Sequence, residues 1–201
     1  MLKVAVRLPV AVADVGEYLA DVTALESAGA DTIWVDDSTL DPWILLGAMA
    51  ALTHRVRLGC RLTSLRAWPP SRLAVSVAAL QLLSRGRTVV GLPKGGDASK
   101  HVVALHAAAS KILSFGSPDK ASDGVIVAVE SADQISDAAP THIEVWASIA
   151  MPPDREAWTS TLNAYEVAGA SGVIVPWGDR LVDLLRNSQP DDRSDLLMST
   201  G

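Results

Sequence analysis

Four short clusters hold most of the residues with usable chemistry. Asp36-Asp37 sets two carboxylates side by side. Such a pair serves as general base, as proton donor or as hydrogen-bond acceptor for a polar substrate, or else forms an acidic loop ahead of a helix cap. Gly59-Cys60-Arg61-Leu62 places a forked guanidinium next to a glycine that permits close backbone approach, a combination that holds a phosphate or carboxylate. Cys60 has no neighbouring base and reads as a small apolar residue rather than a nucleophile. Pro93-Lys94-Gly95-Gly96-Asp97 sets a lysine among glycines before a helix, which suits an anion site or an exposed loop. It is neither a Walker A loop nor a dinucleotide fingerprint. Pro176-Trp177-Gly178-Asp179-Arg180 combines an indole able to stack on a ring with an arginine able to hold a phosphate; the plain reading is a loop with an aromatic cover. The histidines His54, His101, His106 and His142 show no metal spacing, since His101 and His106 are five apart.

All four clusters lie where an apolar, strand-like run gives way to a loop. Such runs occupy residues 3–8, 32–36, 55–60, 87–92, 123–129, 143–149 and 172–175. Helical periodicity fills the intervals over residues 14–28, 41–52, 70–83, 101–113, 131–138, 154–168 and 181–186. Asp14, Asp41-Pro42 and Asp154 supply helix starts, and Gly29 and Gly169 supply stops. Alternation of this kind implies a parallel sheet with right-handed crossovers, either an open doubly wound sheet or a barrel. Even spacing without a linker favours an α/β barrel of the TIM type. Eight units take ~250 residues, so 201 residues predict a barrel shortened to about seven βα units. Residues 1–187 are read as that single domain and residues 188–201 as a polar, mobile tail. Ligands of such sheets bind at the C-terminal strand ends, where the four clusters sit.

Composition narrows the classes further. A hydrophobic fraction of 49% with 20% charged residues is that of a globular chain. A net charge of −6 disfavours nucleic acid or an anionic membrane as partner. One cysteine allows no internal disulfide, and no apolar run approaches the ~20 residues of a spanning helix. No signal peptide is read at the N-terminus, so a cytoplasmic protein is expected. Six tryptophans stand beside one phenylalanine. Trp34, Trp146 and Trp158 fit core positions, whereas Trp43, Trp68 and Trp177 stand at loops or helix starts and suit a pocket lining. A seven-stranded barrel would leave an edge to cover, which predicts a homodimer.

Three segments resemble the bacterial-luciferase-like family of FMN-dependent monooxygenases and coenzyme F420-dependent oxidoreductases. They are Leu25-Glu-Ser-Ala-Gly-Ala-Asp-Thr-Ile-Trp-Val-Asp36, Ala50-Ala-Leu-Thr-His-Arg-Val-Arg-Leu-Gly59 and Leu80-Gln-Leu-Leu-Ser-Arg-Gly-Arg-Thr-Val-Val-Gly91, with Leu83-Ser-Arg-Gly-Arg87 the most diagnostic. Tyr165 to Pro176 is similar to the family's late helix–strand unit. The resemblance implies a TIM-type barrel with FMN or coenzyme F420 over the C-terminal strand ends and a small organic substrate. It puts Asp36 and Asp37 where relatives carry an acidic residue followed by histidine, and Cys60, Arg61 and Leu62 in the segment behind the flavin ring. Lys94, Gly95 and Gly96 fall at the family's glycine turn, while the long insertion that usually follows the fourth strand is missing. The catalytic expectation is thus Asp36 and Asp37. The cofactor-binding expectation is Cys60, Arg61, Leu62, Lys94, Gly95, Gly96, Trp177, Gly178 and Arg180. The alternatives are a non-catalytic flavin-binding module and a degenerate barrel subunit.

Overall fold

The computed structural model describes residues 2–9, 11–37, 40–93, 98–115, 122–135 and 144–186. Five-residue strands recur along this chain: β1 (Lys3–Arg7), β2 (Thr32–Asp36), β3 (Arg57–Arg61), β4 (Thr88–Leu92), β5 (Lys111–Phe115), β6 (Gly124–Ala128), β7 (Glu144–Ser148) and β8 (Gly172–Pro176). Each pairs in parallel with its sequence neighbours, and β8 returns to β1 from Lys3↔Gly172 to Arg7↔Pro176, closing an eight-stranded barrel. Around it lie α1 (Val15–Ala28), α2 (Pro42–Leu52), α3 (Pro70–Ser84), α4 (Ser99–Ala107), α5 (Arg155–Val167) and α6 (Leu181–Arg186).

The TIM-type barrel is as expected, but its strand count is eight rather than seven. The additional strand, β5, sits inside what reads as one helix over 101–113. That helix ends at Ala107, Ala109 turns the chain at φ 54, and Lys111 starts the strand. Ile112 and Leu113 are both buried, one toward each face of the sheet. A short strand buried on both faces has no alternating pattern and cannot be told from helix by periodicity. Of the helix expected over 131–138, the described part is a 3-10 turn at Ala132–Ile135, and residues 136–138 lie outside the described residues. Closure also removes the sheet edge that the seven-strand reading assigned to a partner. The tail 188–201 lies outside the described residues.

Local chemistry accounts for the element ends. Asp14, Asp41 and Asp154 accept from Glu17 N at 2.9 Å, Trp43 N at 2.9 Å and Ala157 N at 2.8 Å, the backbone donors that a helix start leaves unpaired. The motif Leu83-Ser-Arg-Gly-Arg87 is a folding device. Arg85 and Gly86 both take positive φ to end α3, and Arg87 turns back under α2. Its guanidinium donates to Val56 O at 2.6 Å, Thr53 O at 2.9 Å and Ser84 O at 2.7 Å. Glu26 of α1 grips the same connection: one carboxylate oxygen accepts from the backbone N–H groups of His54, Arg55 and Val56 at 2.8, 2.6 and 2.9 Å.

Inside the barrel the side chains stack in layers. Ala5, Trp34, Val89, Leu113, Ile126, Trp146 and Ile174 form a core of their own. Gly59 and Gly172 are required there, because a Cβ at either would overlap the ring of Trp34 or Trp146. Beneath them, at the N-terminal end, lies a charged plug. Arg57 pairs with Asp31 and stands 3.6 Å from Glu144, and Lys111 Nζ contacts Glu144 Oε1 at 2.6 Å. The indole of Trp146 donates to Glu144 Oε2 at 3.0 Å.

Burial alone would push the Glu144 carboxyl up, but Lys111, the Trp146 indole and Arg57 together hold it below its ordinary value. Burial likewise opposes charge on Glu26, and the three backbone donors and Arg87 bring it down. A carboxyl lowered in the folded state contributes stability above its unfolded pKa and loses it as pH falls through the folded value. Thermal stability is therefore expected to hold near neutrality and to fall below pH 4.5, the ordinary glutamate value. Glu144→Gln should cost roughly 1 kcal/mol at neutral pH and flatten the acid limb in a calorimetric pH series.

Candidate functional site

Strand alternation sets the upper layer of the lumen. Ala5, Trp34, Trp146 and Ile174 belong to the inner core, so two residues further along each strand Arg7, Asp36, Ser148 and Pro176 face the C-terminal mouth. Gly59 lies against the Trp34 ring, which puts Arg61 in the same layer.

Asp36 and Arg61 are register partners on β2 and β3 and form a two-pronged ion pair: Nε to Oδ1 at 2.7 Å and Nη2 to Oδ2 at 2.5 Å. The Asp36 side chain is only 7% exposed, against 31% for Arg61, so the arginine is the partner that meets solvent. Tyr18 from α1 is buried, with its hydroxyl 3.4 Å from Pro9 O. Burial, and then the negative charge of Asp36, push its pKa to about 12, so it remains a protonated hydroxyl.

Asp37 has a different position. Its Oδ1 accepts from Thr63 N at 2.8 Å and its Oδ2 from the Trp68 indole at 2.9 Å. Trp68 packs edge-on against Trp43, with ring centroids 5.7 Å apart, and its carbonyl accepts from His101 Nε2 of α4 at 2.9 Å. Asp37 thus ties the end of β2 to the loop after β3 and, through Trp68, to α4. Trp43 and Trp68, expected at a pocket lining, are both buried against the core between barrel and helices; Trp34, Trp146 and Trp158 are core residues as expected.

The remaining sequence candidates divide. Cys60 and Leu62 belong to the core between barrel and helices, so neither side chain faces the mouth and only Arg61 of that segment does. Burial, then the charges of Asp37, Asp36 and Asp41, push the Cys60 thiol well up, the opposite of what a nucleophile requires. Trp177 is half-buried beside β1, its backbone N–H donating to Arg7 O at 2.8 Å. Gly178 is uncrowded, with Met151 Cε 3.9 Å from where its Cβ would stand. Arg180 is exposed and donates to Pro153 O at 2.6 Å, joining the loops after β7 and β8. Lys94, Gly95 and Gly96 lie outside the described residues.

Sequence reasoning missed Arg7, Ser148 and Tyr18. A two-residue count along Lys3-Ala5-Arg7 and Glu144-Trp146-Ser148 would have found the first two. No group of three or more potential metal-ligating side chains occurs among the described residues. A cavity of ≈ 820 Å³ opens at the opposite, N-terminal end, lined by Leu2, Asp31, Arg57, Trp158 and Leu184 among others. In barrels of this type ligands occupy the C-terminal end, which favours the Asp36–Arg61 mouth over that cavity.

The ion pair should behave as a unit. Arg61→Met leaves a buried carboxylate unpaired and is expected to destabilise by about 2–3 kcal/mol in urea unfolding. Adding Asp36→Asn should recover much of that loss, a coupling that a double-mutant cycle reads directly.

With this geometry in place, the likeness to known proteins has structural content. Residues 3–111 match the model of the luciferase-like monooxygenase family. An uncharacterized protein of Mycobacterium tuberculosis is 42% identical over 64 residues, 32% of this chain and 23% of that protein. A phthiodiolone/phenolphthiodiolone dimycocerosates ketoreductase of a Mycobacterium species is 34% identical over 87 residues, 38% of this chain and 23% of that protein. The matched segments thus span under a quarter of the length of these relatives. The coenzyme F420-dependent tetrahydromethanopterin reductase of Methanopyrus kandleri superposes with TM-score 0.73 at 11% identity, covering 92% of this chain and 96% of that one. An F420-dependent secondary alcohol dehydrogenase superposes with TM-score 0.74 at 12% identity, covering 94% and 98%. Tryptophan synthase of Mycobacterium tuberculosis reaches 0.68 at 17% identity, covering 93% and 91%, so these superpositions speak for the fold alone. The family match covers more than half of the chain, including β1 to β4 and the Asp36–Arg61 pair: the chain belongs to the luciferase-like monooxygenase family.

Proposed function

We propose that the chain is an oxidoreductase that binds FMN or coenzyme F420 across the C-terminal mouth of its barrel and acts there on a small organic substrate. The carrying observation is the Asp36–Arg61 pair above the apolar inner layer that includes Trp34 and Ile174. An apolar layer with a few convergent polar groups over it suits a planar ring with a hydrogen-bonding edge. Arg61, Ser148 and Trp177 are the described residues that would hold such a ring, and Lys94, Gly95 and Gly96 stay, from the sequence alone, the candidates for its phosphate. When bound, the cofactor supplies the two-electron chemistry.

The protein's own groups then orient and polarise. Arg61, the exposed partner of the pair, meets the ligand, while Asp36, buried and held by its two donors, fixes the guanidinium and is not free to shuttle protons while the pair is closed. Asp37 is a positioning residue acting through Trp68. A second reading, a flavin-binding module without turnover, is favoured by one feature: only residues 93–98 connect β4 to α4, too few for a covering insertion that would exclude water. In this reading, as in the first, residues 1–187 act as one domain.

Absorbance titration of the purified chain with FMN and with F420 tests the proposal. One of them should give a saturable spectral change, and Asp36→Asn should lower turnover at least about tenfold while cofactor affinity changes much less. No uptake of either would sink the cofactor assignment. Bound cofactor that is never oxidised by a substrate would favour the module.

The homodimer belongs to the same reading, now on different grounds. α2 and α3 turn an apolar face outward: Leu82 is 82% and Ile44 76% exposed, with Val75 and Leu83 beside them. Gly47 lies against Leu83, making the face continuous across both helices. A patch of this kind on one surface suits a self-complementary two-fold contact. Leu82→Glu is expected to shift sedimentation from dimer to monomer at micromolar concentration without lowering thermal stability; a wild-type monomer would remove the proposal.

A further inference from the structure

Arg7 is the last inward residue of β1, one layer above Ala5 in the lumen and register-paired with Trp34 and Pro176. It is half-buried, and among the described residues its guanidinium donates to nothing. The neighbouring carboxylates are committed elsewhere: both oxygens of Asp36 to Arg61, both oxygens of Asp37 to Thr63 and Trp68. An arginine taken partly out of water without a counter-ion pays desolvation that a bound anion would offset. Its planar fork matches the two oxygens of a carboxylate with two parallel hydrogen bonds.

We propose that Arg7 is the substrate-recognising cation of the mouth and that the substrate class is a small organic carboxylate, its charged end on Arg7 and the rest of the molecule toward the Asp36–Arg61 pair. The inference rests on the oxidoreductase reading only for what is done to that molecule, not for the binding itself.

Side-chain NMR of the full chain labelled with 15N-arginine tests this, with acetate and benzoate as probes and acetamide and benzamide as uncharged counterparts. The carboxylates should shift one arginine Nε–H signal that Arg7→Met lacks, and the amides should not. Arg7→Met should weaken benzoate binding roughly tenfold or more, while Arg7→Lys retains part of it as a point charge. Equal benzoate affinity in Arg7→Met would overturn the proposal. So would a wild-type chain that binds amides as well as carboxylates, or neither, a comparison that needs no variant to fold. If instead Arg7→Met left benzoate affinity unchanged and made the midpoint potential of bound FMN or F420 more negative, the arginine would serve the reduced cofactor, and the substrate assignment would fall. Carboxylate binding without uptake of either cofactor would leave Arg7 in its role and remove the oxidoreductase reading.

Discussion

Everything at the mouth depends on the pairing of β8 with β1. Five register pairs from Lys3↔Gly172 to Arg7↔Pro176 convert a twisted parallel sheet into a closed ring. Pairing with β2 already places Arg7 at the rim of Asp36 and Arg61, and closure brings the ends of β7 and β8, with Ser148 and Pro176, round to the other side of Arg7. The closing strand also limits what may occupy the lumen. Gly172 leaves room for the Trp146 ring, as Gly59 does for Trp34 across the barrel. Two large rings set against two glycines fill a space that eight medium side chains would overfill or leave void.

The lumen is graded along its axis. Charges compensated by one another seal the N-terminal end, where Glu144 answers Lys111 and Arg57. Aromatic and aliphatic side chains occupy the middle and exclude water. The C-terminal layer is polar again, and there Arg7 has no described counter-ion. A sealed bottom and dry middle strengthen any electrostatic contact made at the top, because the surroundings screen it poorly. Outside the ring, Asp37, Trp68 and His101 fasten the loop after β3 to α4, while Glu26 and Arg87 fasten the connection between α2 and β3. These contacts hold Arg61 in register with Asp36, so the family's most diagnostic segment contributes to the site by positioning rather than by contact.

Much of this was legible in the residues. Alternating runs, capping aspartates and helix-ending glycines reveal the barrel and its usable end, and Asp36 and Arg61 stand out as strand-end polar groups. Two things were hidden, each for a physical reason. β5 is buried on both faces, so Ile112 and Leu113 lack the alternation that distinguishes strand from helix. The division of Asp36-Asp37 and of Cys60-Arg61-Leu62 into lumen-facing and helix-facing members follows from strand parity, and parity is set by which residue starts the pleat. Reading Gly59 as the lumen position opposite Trp34 would have assigned Arg61 inward and Cys60 and Leu62 outward. The commitment of Asp37 to Trp68 joins residues distant in sequence and is visible only in three dimensions.

A crystal structure of the chain grown with FMN or coenzyme F420 would show where the ring binds. A planar ring is expected over the C-terminal mouth, in contact with Arg61 and Trp177 and above the inner layer that includes Trp34. A ring bound instead in the cavity beside Leu2, Arg57 and Trp158, or a mouth left to solvent at saturating cofactor, would contradict that placement.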